Sequence, residues 1–322
     1  MITESARAAA TRALPAEAVH ANAEDAPASG HPLASASTTA TASGIPARRP
    51  RPPLAFWIGL GVGVAVILCA ILAPWLAPYS PLRQNLDARL VPPGGAHLLG
   101  TDELGRDVLS RLFFGTRISL MMAFGAMALA LPLGALMGLT GGFAGGWVDN
   151  VIGRIVDILL AFPTTLLALV LIAALGPSPA SVVLALGLAF LPSFARIARG
   201  AVLRERDRDY VLAARAIGQS PGGILWRHVR PNVTNDLAVQ VSVALPSAML
   251  AEAGLSFLGL GVSPSDPSWG RMLSNAASVI HTAPHLALAP LVPLVVAVLG
   301  FFLLADGARA WLDPQTRRGR LL

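Results

Sequence analysis

Three carboxylates, Asp149, Asp157 and Glu252, stand in otherwise apolar stretches of this sequence. Acids so placed could carry acid–base hydrolysis inside a membrane. No other reactive group is spaced to assist them. His281 and His285 are four apart, as two zinc ligands on one helical face would be, but Pro284 intervenes and no glutamate accompanies them. Ser256 is followed by Phe257-Leu258, which is not a nucleophile elbow. One cysteine, Cys69, gives neither a disulfide framework nor a redox dithiol. All 24 basic side chains are arginine. Without lysine the chain can hold neither a phosphate-binding P-loop nor a Schiff base. No catalytic constellation emerges.

The elements that must position these residues are apolar. Of 322 residues, 54% are hydrophobic and 13% charged, with mean hydropathy +0.62. A soluble domain is about 45–50% apolar and about 25% charged, so this chain belongs in lipid. Runs of about 20 apolar residues, the length a membrane helix needs, place six spans near 55–77, 117–141, 151–175, 180–199, 235–259 and 286–308. Gly176-Pro177-Ser178-Pro179 separates the third from the fourth. Six spans leave both termini on one side. That side collects 18 of the 24 arginines, and arginine excess marks the cytoplasm. Residues 1–53 read as a disordered cytoplasmic tail, 54–116 as the first span and an external loop, 117–308 as a five-helix core with a cytoplasmic loop at 200–234, and 309–322 as a cytoplasmic tail.

Gly134, Gly138, Gly142 and Gly146, spaced by four, form a smooth stripe on the second span where another backbone can approach closely. Pro132, Pro163, Pro192, Pro246 and Pro293 lie inside spans, and their freed carbonyls need packed neighbours or water. Both features call for a bundle. Asp149, Arg154 and Asp157 read as an ion cluster at the inner end of the third span, and Glu252 of the fifth as a residue with either a lining or structural-contact role or direct contact with substrate.

The loop Ala201–Asn232 carries helix punctuation twice. A first helix stops at Gly218, a natural left-handed C-terminal residue. Ser220 caps a second, Pro221 occupies its first position and Pro231 ends it. Ile224, Leu225, Trp226 and Val229 on this short helix have no evident core within the loop and read as a docking surface for another protein. Helix-turn-helix binding to nucleic acid is a poor alternative, because a loop between membrane spans is a poor scaffold for it.

Ala213-Ala214, Gly218, Ile224 and the Arg230-Pro231-Asn232 close resemble the EAA signature of importer-type ABC permeases, with Leu212 at the naming glutamate and Arg230-Pro231 for the usual Leu-Pro. The run Leu99-Gly100-Thr101-Asp102-Glu103-Leu104-Gly105-Arg106-Asp107 resembles the LGTDxxGRD element of C-type subunits of the dipeptide/oligopeptide/nickel permeases. Arg208-Asp209-Tyr210-Val211 and the stretch Glu252–Gly261, continuing to Pro267-Ser268-Trp269-Gly270, match the same branch. The resemblance covers 54–316. It implies an all-α integral membrane protein of six transmembrane helices in the type I ABC importer (MetI-like) architecture, both termini cytoplasmic, in the bacterial inner membrane. It implies a non-enzymatic permease subunit for peptides, with nickel chelates or glutathione as the alternative cargo. The implied partners are a homologous second permease, two cytoplasmic ATP-binding subunits that hold ATP and Mg, an extracytoplasmic substrate-binding protein and membrane lipid. No cofactor is implied in this chain itself. The residues implied to couple to the ATPases are Ala213, Ala214, Gly218, Ser220, Ile224, Leu225 and Trp226. Glu252, Ser256, Phe257 and Trp269 are implied to line the translocation path or outer gate.

Overall fold

The computed structural model describes residues 52–312, so the two tails expected over 1–53 and 309–322 lie largely outside the described residues. Helix α1 (Leu54–Leu76) has no charged residue in 23 positions. At about 1.5 Å per residue it is about 35 Å long, enough for a hydrocarbon core of about 30 Å.

Helix α2 (Val108–Ala144) begins well before the expected 117, because Asp107 caps it. The Asp107 carboxylate accepts from the Ser110 backbone N–H at 2.8 Å and from the Ser110 hydroxyl at 2.7 Å. Asp102 folds the preceding loop in the same manner, accepting from the backbone N–H groups of Leu104 and Arg106 and from Arg106 Nε. Gly105 completes that turn at φ 68°; a Cβ there would lie 1.7 Å from the Asn85 carbonyl oxygen. The LGTDELGRD run is thus a device for starting α2.

The expected third span is broken. Helices α3 (Gly146–Leu160) and α4 (Thr164–Leu175) meet at 89°. Phe162 precedes Pro163 and is steered out of the helical region, and ion pairs hold α3 to α5 (Pro179–Glu205). Helix α4, of 12 residues, is about 18 Å long, too short to cross alone. Among the described residues five helices are long and apolar enough to span, and this bent pair makes a sixth when counted as one.

The glycine stripe packs against α5 of the same chain. A Cβ at Gly134 would meet the Leu191 carbonyl oxygen at 2.6 Å, and one at Gly138 the Ala195 carbonyl oxygen at 2.3 Å. Gly142 continues the contact toward Arg199, whereas Gly146 lies beyond α2 at the start of α3, at φ 54°, with open space where a Cβ would stand. Alanines 123, 126, 130, 185, 195 and 198 fill the core around this seam, as membrane bundles built on small residues do.

After α5 come α6 (Asp209–Ala216), the single turn α7 (Pro221–Ile224), a π turn (Leu225–Val229) and α8 (Arg230–Phe257). Helix α9 (Trp269–Ser278) is capped by Ser268, whose hydroxyl accepts from the Arg271 N–H. Helix α10 (His285–Leu312) packs beside α1 and closes the bundle.

Candidate functional site

The loop between α5 and α8 forms as its punctuation dictates at one end. Gly218 adopts φ 79°; its N–H donates to the Arg215 carbonyl at 3.0 Å and the Gln219 N–H to the Ala214 carbonyl at 3.1 Å. Those two bonds define a Schellman ending. The Ser220 hydroxyl then accepts from the Gly223 N–H, with Pro221 at the first helical position.

The other end differs from expectation. Pro231 does not end the short helix: residues Pro221–Phe257 run as one helical path of 37 residues. Proline is tolerated because the preceding turn is widened, with the Arg230 N–H donating to the Leu225 carbonyl five residues back. A π turn moves the carbonyls that a proline ring would otherwise strike. One joint, at Gly218, therefore replaces the expected two.

Burial also corrects the docking surface. Ile224, Leu225 and Val229 are buried against Val202, Val211, Ala214 and Val233 of the same chain. They form the loop's own core and present nothing to a partner. The exposed apolar side chains of the loop include Leu212, Ile217 and Trp226, with Ile217 83% exposed, and Ala213 is exposed next to Leu212. The Arg230 guanidinium lies 5.1 Å from the centre of the Trp226 ring and braces it.

A polar clasp ties the two arms of the loop together. The Tyr210 hydroxyl donates to Glu205 and accepts from Asn232 Nδ2 at 3.0 Å. Asn232 also donates to the His228 carbonyl, and the His228 ring pairs with Gln219 at 2.9 Å. Burial, and then the Glu205 carboxylate, raise the Tyr210 phenol above its ordinary pKa, so it remains a neutral donor. Tyr210 and Asn232 were visible as parts of two separate motifs; only the fold shows that they touch.

The expected gate residues are also mostly interior. Glu252, Ser256 and Trp269 are fully buried, and only Phe257 is exposed. The Ser256 hydroxyl donates to Glu252 Oε1 at 2.7 Å, and the backbone N–H of Trp269 donates to Ser119 Oγ at 3.2 Å. Two glycines let chain pass over this cluster: a Cβ at Gly261 would lie 1.9 Å from Ser256 Oγ, and one at Gly270 2.2 Å from the Ala253 carbonyl oxygen. The Glu252–Gly270 motif is therefore a clamp that seats α9 on α8, and Glu252, Ser256 and Trp269 do not line a path within this chain.

Charges do open onto space elsewhere. A cleft of about 230 Å³ lies between α2, α3 and α5, walled by Gly138, Asp149, Arg154, Asp157, Arg196 and Arg199. Arg199 binds Asp149 through two bonds, at 2.5 and 2.7 Å. Arg196 meets Asp157 through one, at 3.1 Å, and both of these side chains are more than half exposed. Arg154 pairs with no carboxylate among the described residues. The two carboxylates of the cluster read from sequence are ion-paired, but to arginines of α5 and not to Arg154.

Comparison with known proteins gives a consistent answer. The family described as binding-protein-dependent transport system inner membrane component matches residues 130–318, and the N-terminal TM domain of oligopeptide transport permease C matches residues 55–93. The chain is 39% identical over 260 residues to the dipeptide transport system permease protein DppC of Alkalihalophilus pseudofirmus, covering 81% of this chain and 86% of the relative. It is 41% identical to the di/tripeptide transport system permease protein DppC of Pseudomonas aeruginosa, covering 80% and 88%. The glutathione transport system permease protein GsiD of Pectobacterium atrosepticum is 38% identical, covering 81% and 88%.

Proposed function

We propose a function from the premise that this chain belongs to the family of binding-protein-dependent transport system inner membrane components. It is a multi-pass inner-membrane transport permease subunit and not a catalytic enzyme. Its cargo is di- or oligopeptides, a reading supported by relatives at about 40% identity that are named for dipeptides. Two cytoplasmic ATPase subunits, which hold the ATP and Mg, dock on Leu212, Ala213, Ile217 and Trp226. A homologous second permease completes the pathway, and an extracytoplasmic binding protein delivers the peptide.

One observation carries the mechanism: the helical path that starts beside the exposed patch runs unbroken from Pro221 to Phe257. The Schellman turn at Gly218 and the Tyr210–Asn232 clasp hold the patch to the feet of α5 and α8. Closure of the ATPases on ATP moves that foot, and the attached helices rock to exchange access between sides. Ala214 and Ile224 serve as the internal packing that keeps the foot in one piece.

The test is reconstitution of the chain with its partner subunits in proteoliposomes. Uptake of alanyl-alanine that needs both ATP and the binding protein supports the reading; uptake without ATP overturns it. The relative named for glutathione gives a specific second reading. Preference for glutathione over alanyl-alanine in the same assay would select it.

A further inference from the structure

The cleft between α2, α3 and α5 is not used by anything described above. Its position bears on what it faces. The backbone at the α3–α4 break is irregular, and Ala161, Phe162 and Pro163 there are exposed. At membrane depth such backbone is tolerated against protein or along a water-filled cavity, not against lipid. The exposed Asp157–Arg196 pair, at the inner end of the span, likewise belongs against water or protein rather than lipid. Bent and interrupted spans are also where transporters place charged groups of their cargo.

The chemistry of the walls selects a ligand. Asp149 is locked by two bonds to Arg199 and forms the floor. Arg154 has no carboxylate partner among the described residues, and Arg196 is held by a single bond that an incoming anion can replace. A guanidinium pair of this kind matches a carboxylate. The volume, about 230 Å³, is below the about 300–1,000 Å³ of sites that enclose a whole small molecule. It suits an end group.

We propose that this cleft receives the terminal carboxylate of the transported peptide, with Arg154 as its principal contact and the Arg196–Asp157 pair as the exchangeable counter-ion. The site rests on the peptide reading given above. It assigns to this permease a recognition step separate from that of the binding protein.

The experiment uses the nucleotide-free complex of both permeases and both ATPase subunits in detergent, without the binding protein. Dissociation constants are measured for alanyl-alanine and for alanyl-alanine amide, on the wild-type chain and on Arg154→Gln. The wild type is expected to bind the free acid about tenfold more tightly than the amide. Arg154→Gln is expected to weaken the free acid about tenfold and leave the amide unchanged, which is the coupling signature of a direct contact. Equal effects on both ligands, or no binding of the free acid to the wild type, overturn the site. Neither result touches ATP-driven uptake in proteoliposomes, which tests the peptide reading separately.

Discussion

Ile217 and Ile224 differ in the way that decides function at the residue scale. Both are apolar and both lie in the loop between α5 and α8, yet one is 83% exposed and the other 1%. Replacing Ile217 and Trp226 together by Asp puts charge on a wet surface, at a cost to folding of about 0.5 kcal/mol or less. The subunit is expected to insert and melt normally while the ATPase subunits no longer co-purify with it. Ile224→Asp buries a carboxylate without a partner, which costs several kcal/mol, and is expected to remove the folded subunit itself. Unchanged co-purification of the Ile217/Trp226 double variant would refute the docking patch. Sequence alone could not separate these residues. Apolar spacing reports that a face is covered, not whether its cover comes from the same chain. Gly218, Ser220 and Pro221 were legible because a left-handed residue, a cap and a first-turn proline act through their immediate neighbours.

Among the elements, the α2–α5 seam is the one that size alone controls. A Cβ at Gly138 would lie 2.3 Å from the Ala195 carbonyl oxygen and 2.5 Å from the Ala198 Cβ, with backbone on both sides and no flexible side chain to give way. Gly138→Leu is expected to lower the melting temperature of the purified subunit by the equivalent of at least about 1–3 kcal/mol, the cost of overpacking. Gly61→Ala on α1, where nothing lies within 4 Å, is the control and is expected to be neutral or slightly stabilising. Equal melting of the two would show that the seam is not tight. The stripe was legible because a four-residue repeat of glycines has one helical meaning, although its partner was not. The break between α3 and α4 was legible only as Phe162-Pro163, one of several prolines inside spans. Pro231 misled for the opposite reason: a widened turn supplies the room that proline ordinarily lacks.

For the whole molecule, the arginine bias predicts a cytoplasmic α6–α7 loop and an external α1–α2 loop. On a Cys69→Ser background, Gly94→Cys is expected to react with a membrane-impermeant maleimide on intact cells and Gly222→Cys only in inverted vesicles. Both glycines are exposed, with room for a side chain; the reverse labelling would invert the molecule. The path from Pro221 to Phe257 then has a mechanical meaning. Pro246 removes one hydrogen bond without interrupting it, and its 37 residues reach about 55 Å from end to end. A tilt of about 5° at the inner foot swings the opposite end by about 5 Å, and α9 rides on that end through the Glu252–Gly270 clamp. On the proposed mechanism, the two mouths of the passage would thereby be interlocked like the doors of an airlock. A substitution that softens the rod in its middle would let both stand ajar, and the membrane would leak cargo without consuming fuel.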